Sequence, residues 1–195
     1  MISREKAIKF LNEKVENKNI VSHMVATEAL MGGVYDYLAG KGKADLGGTK
    51  EEWTMAGLLH DGDYNDKVPV EKQGIQVTDW LREAGHEIPE NVAYAMAAHN
   101  YDNTGATPKS LMDWTIAIGD SLTGLIVACT LVRPDKKLAS VKVKSVKKKF
   151  KDKHFAAGTR REQIAMCEEK LGIPLDKFIE ISLKAMQSIS DDLGL

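Results

Sequence analysis

The residues of this chain best suited to chemistry are histidines and aspartates set among apolar neighbours. His60 and Asp61 follow directly on Met55-Ala56-Gly57-Leu58-Leu59. Asp120 interrupts the run from Trp114 to Leu122, and neither residue four positions away is a cation. His23 poses the same question between Val21 and Val25. Burying any of these groups without a partner costs several kcal/mol, and one divalent cation would satisfy all four at once. Two imidazoles and two carboxylates from separate helices suit Mn, Fe, Co, Ni or Zn, with Mg also in range. Carboxylate ligands distinguish such a site from a closed thiolate structural site and leave positions for water and substrate. The alternative, a satisfied core polar group, serves as well for His23 alone but poorly for all four.

Helices must position these residues. Ser3 heads a first amphipathic segment, and a second runs from about Ile20 to Leu38. Thr49-x-x-Glu52 is a capping box for a third, which carries Trp53, Met55, Ala56, Leu58 and Leu59. Helical spacing continues over Val70–Arg82, Pro89–His99 and Ser110–Val132, with Gly119 and Gly124 leaving room on the last for close neighbours. Two further helices are expected, one from a second capping box, Thr159-x-x-Glu162, and one from near Pro174. Gly40 through Gly48 mark a loop and Gly85 a helix C-cap. Val141-Lys142-Val143-Lys144 alternates like a strand, but Val146 and Phe150 return to helical spacing, so this region is read as helix. The expectation is one all-α domain of eight or nine helices over residues 1–195, with a metal-binding core at about 20–133 and a helical extension at about 134–195.

Composition narrows the function classes. The 195 residues are 43% hydrophobic, too apolar for a disordered chain, and only 6% aromatic, which favours helices over a β-sandwich. Basic and acidic residues number 27 and 28, so the net charge of -1 demands neither a nucleic-acid nor a membrane partner. Cys129 and Cys167 form neither a CxxC pair nor a disulfide framework. The segment Met1–Lys14 does not read as a signal peptide, and Asp120 and Arg133 argue against a membrane span at Trp114–Val132. These features point to the cytoplasm. Charge is uneven, however: Lys136–Lys153 holds nine lysines and one acid, Asp152. A solvated helix face explains most of them, and steering of an anionic substrate or RNA is the sharper alternative. No interleaved aromatics support base stacking there.

The order His23, His60-Asp61, Asp120 resembles the HD superfamily of metal-dependent phosphohydrolases. Leu58-Leu59-His60-Asp61-Gly62-Asp63-Tyr64 looks like the family's central motif, and Ala98-His99-Asn100 and Asp120-Ser121-Leu122-Thr123-Gly124-Leu125 are similar to its later segments. The likeness covers about residues 20–133 and extends more weakly, toward small bacterial HD proteins, over the C-terminal third. It implies a helical core with His23, His60, Asp61 and Asp120 as metal ligands and a water, polarised by the cation, attacking a phosphate ester. Asp61 would bridge the ions if there were two. Relatives with two metals often carry a histidine where this chain has Gln73, so one ion is expected here.

Around that core, Asp63 is a candidate for orienting or deprotonating the attacking water, alongside Asp61, or is a plain helix-end carboxylate. Lys67, His99 and Arg133 are candidates for binding substrate phosphate. His99 has the alternative of a leftover second-site ligand, and Arg133 that of a cation favoured at a helix C-terminus. His86 reads as a solvated turn residue. The function expected is therefore hydrolysis of a phosphomonoester or phosphodiester in a small molecule, with nucleotides among the candidates. The main alternative is a nucleotide- or RNA-binding regulatory module on the same scaffold, and a two-iron oxidase is a weaker third.

Overall fold

The computed structural model describes all 195 residues, and all its regular structure is helical. The first half holds α1 (Arg4–Lys14), α2 (Lys18–Gly40), α3 (Lys50–Leu59), α4 (Gln76–Glu83), α5 (Glu90–His99) and α6 (Tyr101–Thr104). The second half holds α7 (Leu111–Leu131), α8 (Val143–Lys151), α9 (Arg161–Ala165), α10 (Cys167–Leu171), α11 (Leu175–Gln187) and α12 (Ser190–Leu193). The count exceeds eight or nine because short helical turns, such as α6 and α12, lie below the reach of apolar periodicity.

Local chemistry sets most of the boundaries. Ser3 accepts from the Lys6 N–H, and the Thr49/Glu52 capping box closes with both of its hydrogen bonds. A second box, Ser110 with Asp113, starts α7. The box expected at Thr159 and Glu162 does not form, and α9 begins at Arg161 without a side-chain cap. The helix expected over Val70–Arg82 is broken. Residues Val70–Lys72 make one 3-10 turn, Gly74 turns at φ 89°, and α4 starts only at Gln76. The lysine-rich segment is α-helical only over Val143–Lys151, with Val146 buried and Val143 and Phe150 packed on the core, whereas Val141 and Lys142, also expected in helix, are extended.

The long helices α2 and α7 carry the architecture. Helix α2 packs on α3, α7 and α11, while α5 packs on α3 and α7. One hydrophobic cluster runs from Ile2 to Met186, drawing on both the N-terminal two thirds and the C-terminal third. Although α7 is long and apolar enough to cross a membrane by length and composition, 61% of its apolar window is buried inside the protein. It is a core helix. Two glycines, one on α7 and one on α3, set how closely these helices approach α2. A Cβ on Gly119 would stand 2.6 Å from Leu30 Cδ2 of α2, and one on Gly57 would stand 2.9 Å from the Thr27 carbonyl oxygen. These approaches draw the His23, His60 and Asp120 regions together. Gly124, by contrast, has no atom near its missing Cβ and faces open space.

Candidate metal centre

His23 comes from α2, His60 and Asp61 from the turn that follows α3, and Asp120 from the middle of α7. One ligand atom from each lies within 4.8 Å of all the others. His23 Nε2 is 2.8 Å from Asp120 Oδ1 and 3.7 Å from Asp61 Oδ2. His60 Nε2 is 3.5 Å from Asp61 Oδ2 and 3.6 Å from Asp120 Oδ1. The two Nε2 atoms approach to 3.2 Å. His60 is fully buried.

The hydrogen bonds on the far side of each ring assign the tautomers. His60 Nδ1 lies 2.9 Å from the Gly57 carbonyl, which can only accept, so Nδ1 carries the proton. The Thr123 hydroxyl donates to the Asp120 carbonyl at 2.8 Å and therefore accepts from His23 Nδ1 at 3.0 Å. His99 Nδ1 similarly donates to the Met96 carbonyl, leaving its Nε2 3.3 Å from Asp61 Oδ1. When neutral, all three imidazoles turn lone pairs toward carboxylate oxygens. Such an arrangement needs positive charge at its centre. An outer N–H held by a carbonyl or hydroxyl is also how metal-binding histidines are oriented.

Without an ion, the neighbouring carboxylates favour protonated imidazoles. Burial disfavours a charged His23, but its hydrogen bond to Asp120 and the charges of Asp120 and Asp61 outweigh burial and raise its pKa. Burial of His99 is overcome in the same way, chiefly by Asp61. Burial also opposes ionisation of Asp61, yet His60 and then His99 hold it down at about 2. Asp120 is buried too, and its bonds to His23 and His60 keep it well below the usual carboxylate range. The donor set fits a divalent cation.

The structure brings His23, His60, Asp61, Asp120 and His99 together, and it places the other expected site residues elsewhere. Asp63 is fully buried, with both oxygens accepting from the Gly74 N–H at 2.9 Å and Oδ2 also accepting from the Val77 N–H at 2.8 Å. It anchors the loop before α4, and its burial leaves no room to activate water. Burial raises its pKa against the pull of those two N–H groups. Lys67 lines a separate groove with Lys14, Tyr64 and Trp80. Arg133 bonds Ser140 and Asp135 beyond the end of α7, thirteen residues past Asp120, or about 20 Å at helical rise. None of the lysines of Lys136–Lys153 lines the two cavities at the cluster.

Those two cavities flank Asp120. One, of about 390 Å³, is lined by Asp61, His99, Asp120, Gln73, Asn100 and Arg160 among others. The other, of about 370 Å³, lies between His23, Asp120, Ser121 and Gly124 on one side and Ala156–Thr159 on the other. Sequence reasoning missed Thr123, Asn100 and Arg160. Thr123 had a usable signal, standing three residues after Asp120 on the same face of α7. Comparison with protein-family models, curated proteins and solved structures finds no match to this chain. The site's own geometry therefore carries the functional argument.

Proposed function

We propose that this chain is a metal-dependent hydrolase of phosphate esters, of the HD type, acting on a small phosphorylated molecule. The observation that carries the reading is the convergence of imidazole lone pairs and two carboxylates at the wall of a cavity large enough for a small ligand. His23, His60, Asp61 and Asp120 would hold one divalent ion. When bound, the ion supplies Lewis acidity, making a water nucleophilic near neutral pH and offsetting charge on phosphoryl oxygens.

The protein's own groups do the rest. Gly57 and Thr123 fix the imidazoles of His60 and His23 from behind, so the donors are in place before any ligand arrives. Asp61 divides its oxygens, Oδ2 toward His23 and His60 and Oδ1 toward His99, and so holds His99 at the cavity wall. In the reaction a water oxygen bonds to phosphorus, the ester P–O bond breaks, and the alcohol departs with a proton. No oxidant or reductant is required.

Gln73 favours the second reading, a regulatory module that binds a nucleotide without consuming it. It lines the same cavity as Asp61 and Asp120, and its amide donates to the Val68 carbonyl at 3.3 Å. The test is metal analysis of native protein followed by phosphate-release assays over phosphomonoesters, phosphodiesters and nucleotides. His60→Ala should lose both the metal and turnover, by about 100-fold or more. Wild-type protein that takes up no divalent ion, or turnover that survives His60→Ala, overturns the hydrolase. A nucleotide that raises the melting temperature and is recovered intact supports the module instead.

A further inference from the structure

The chain has five arginines, and four of them are committed. Arg4, Arg82 and Arg133 pair with Glu28, Glu90 and Asp135. Arg161 is buried and donates only to backbone carbonyls. Arg160 is exposed and has no carboxylate within ion-pair distance and no hydrogen bond from its side chain. Yet it lines the cavity of about 390 Å³ that holds Asp61, His99 and Asp120.

Its placement is built rather than incidental. Arg161 donates to the carbonyls of Lys149, Phe150, Asp152, Phe155, Ala156 and Thr159, among them 2.8 Å to Phe150 and 3.0 Å to Asp152. These six bonds fasten the segment between α8 and α9 from within and hold Ala156 at φ 46°. The same segment forms one wall of the cavity beside His23 and Gly124, and its last residue, Arg160, lines the cavity beside Asp61 and His99. A planar guanidinium with its donors free recognises two oxygens at once, which suits a phosphoryl group better than a point charge does. In this cavity it would supply positive charge to a ligand held beside the carboxylates.

We propose that Arg160 is the substrate-binding residue that grips the phosphoryl oxygens of a phosphate ester beside the metal ligands. The proposal deepens the hydrolase reading and rests on it for the identity of the anion. Arg160 lies at the surface, so its replacement leaves the fold intact. The test is calorimetric titration of the metal-loaded full chain with inorganic phosphate, and with acetate as a competing anion type, for wild type, Arg160→Gln and Arg160→Lys. Metal stoichiometry is measured on each protein.

Arg160→Gln should weaken phosphate binding about tenfold or more at unchanged metal content, with Arg160→Lys intermediate because it keeps charge but not the fork. With a substrate in hand, KM should rise more than kcat falls. Phosphate binding equal to wild type in Arg160→Gln overturns the proposal, as does acetate binding as tightly as phosphate. Arg160-dependent phosphate binding by a protein that cleaves no ester supports the grip and defeats the hydrolase reading. The two failures are thereby distinguishable.

Discussion

The two walls of the site are held in different ways. The metal ligands stand on α2, α3 and α7, elements whose backbones are already satisfied and whose apolar faces share one core. The opposite wall, residues Ala156–Arg160, is a loop, and one guanidinium collects the carbonyls of the surrounding segment. On the helical wall each imidazole has its own orienting contact, so losing one costs one ligand its aim. On the loop wall a single side chain satisfies six positions, and its loss releases them together. A charged ligand is thus met by a rigid half and by a half whose order is concentrated in Arg161.

The sharpest way to break that contrast is Arg161→Ala. It should destabilise the protein by about 3–5 kcal/mol, because buried carbonyls lose a charged donor, while folded protein keeps its metal. Denaturant unfolding together with metal analysis reads both quantities. Metal lost along with the loop would show that the walls are not independent. Gly74→Ala comes next. Gly74 stands at φ 89°, where a Cβ would press on the Met96 carbonyl and lie 2.9 Å from His99 Cε1. The cost should be about 2 kcal/mol or more, with the imidazole signal of His99 shifted by NMR and the four-ligand site retained. An unmoved His99 would detach that loop from the rigid wall.

The smallest effect is the pH response of the helical wall alone. His23 and His99 have raised pKa values in the metal-free protein. Their stabilising contribution is complete below the unfolded value of about 6.5 and disappears as pH climbs through the raised folded values. Melting of metal-free protein should therefore decline by a few degrees from pH 6 to 8. Metal-loaded protein should show the opposite slope at limiting metal, since fewer protons then compete for Nε2. A flat metal-free profile would mean that the imidazoles are not sharing charge with Asp61 and Asp120.

The same contrast governs what could be read from the amino-acid sequence. The helical wall announced itself because His60-Asp61 and Asp120 violate the apolar character of their own helices, a conflict visible within a few residues. Its geometry also followed from period and capping, as at Thr49 and Glu52. The loop wall had no such signal. Arg160, Arg161 and Glu162 read as the solvated start of a helix, and nothing local distinguishes the exposed arginine from the buried one. Asp63 escaped for a related reason. Its partners, Gly74 and Val77, lie across a loop closure that pattern cannot place. Lys67 and Arg133 were drawn toward the site by closeness along the chain, which the direction of α7 and a separate groove do not translate into closeness in space.

The Arg161 cage also bears on the length of the chain. Surface loops ordinarily accept an added or deleted residue with little penalty. Between Lys149 and Thr159, however, six carbonyls are indexed to one guanidinium, like teeth on a single key. A residue inserted or removed in this stretch shifts every tooth on one side of the change. The segment should tolerate exchange of its outward side chains, such as Lys153 and His154, far better than any change in their number.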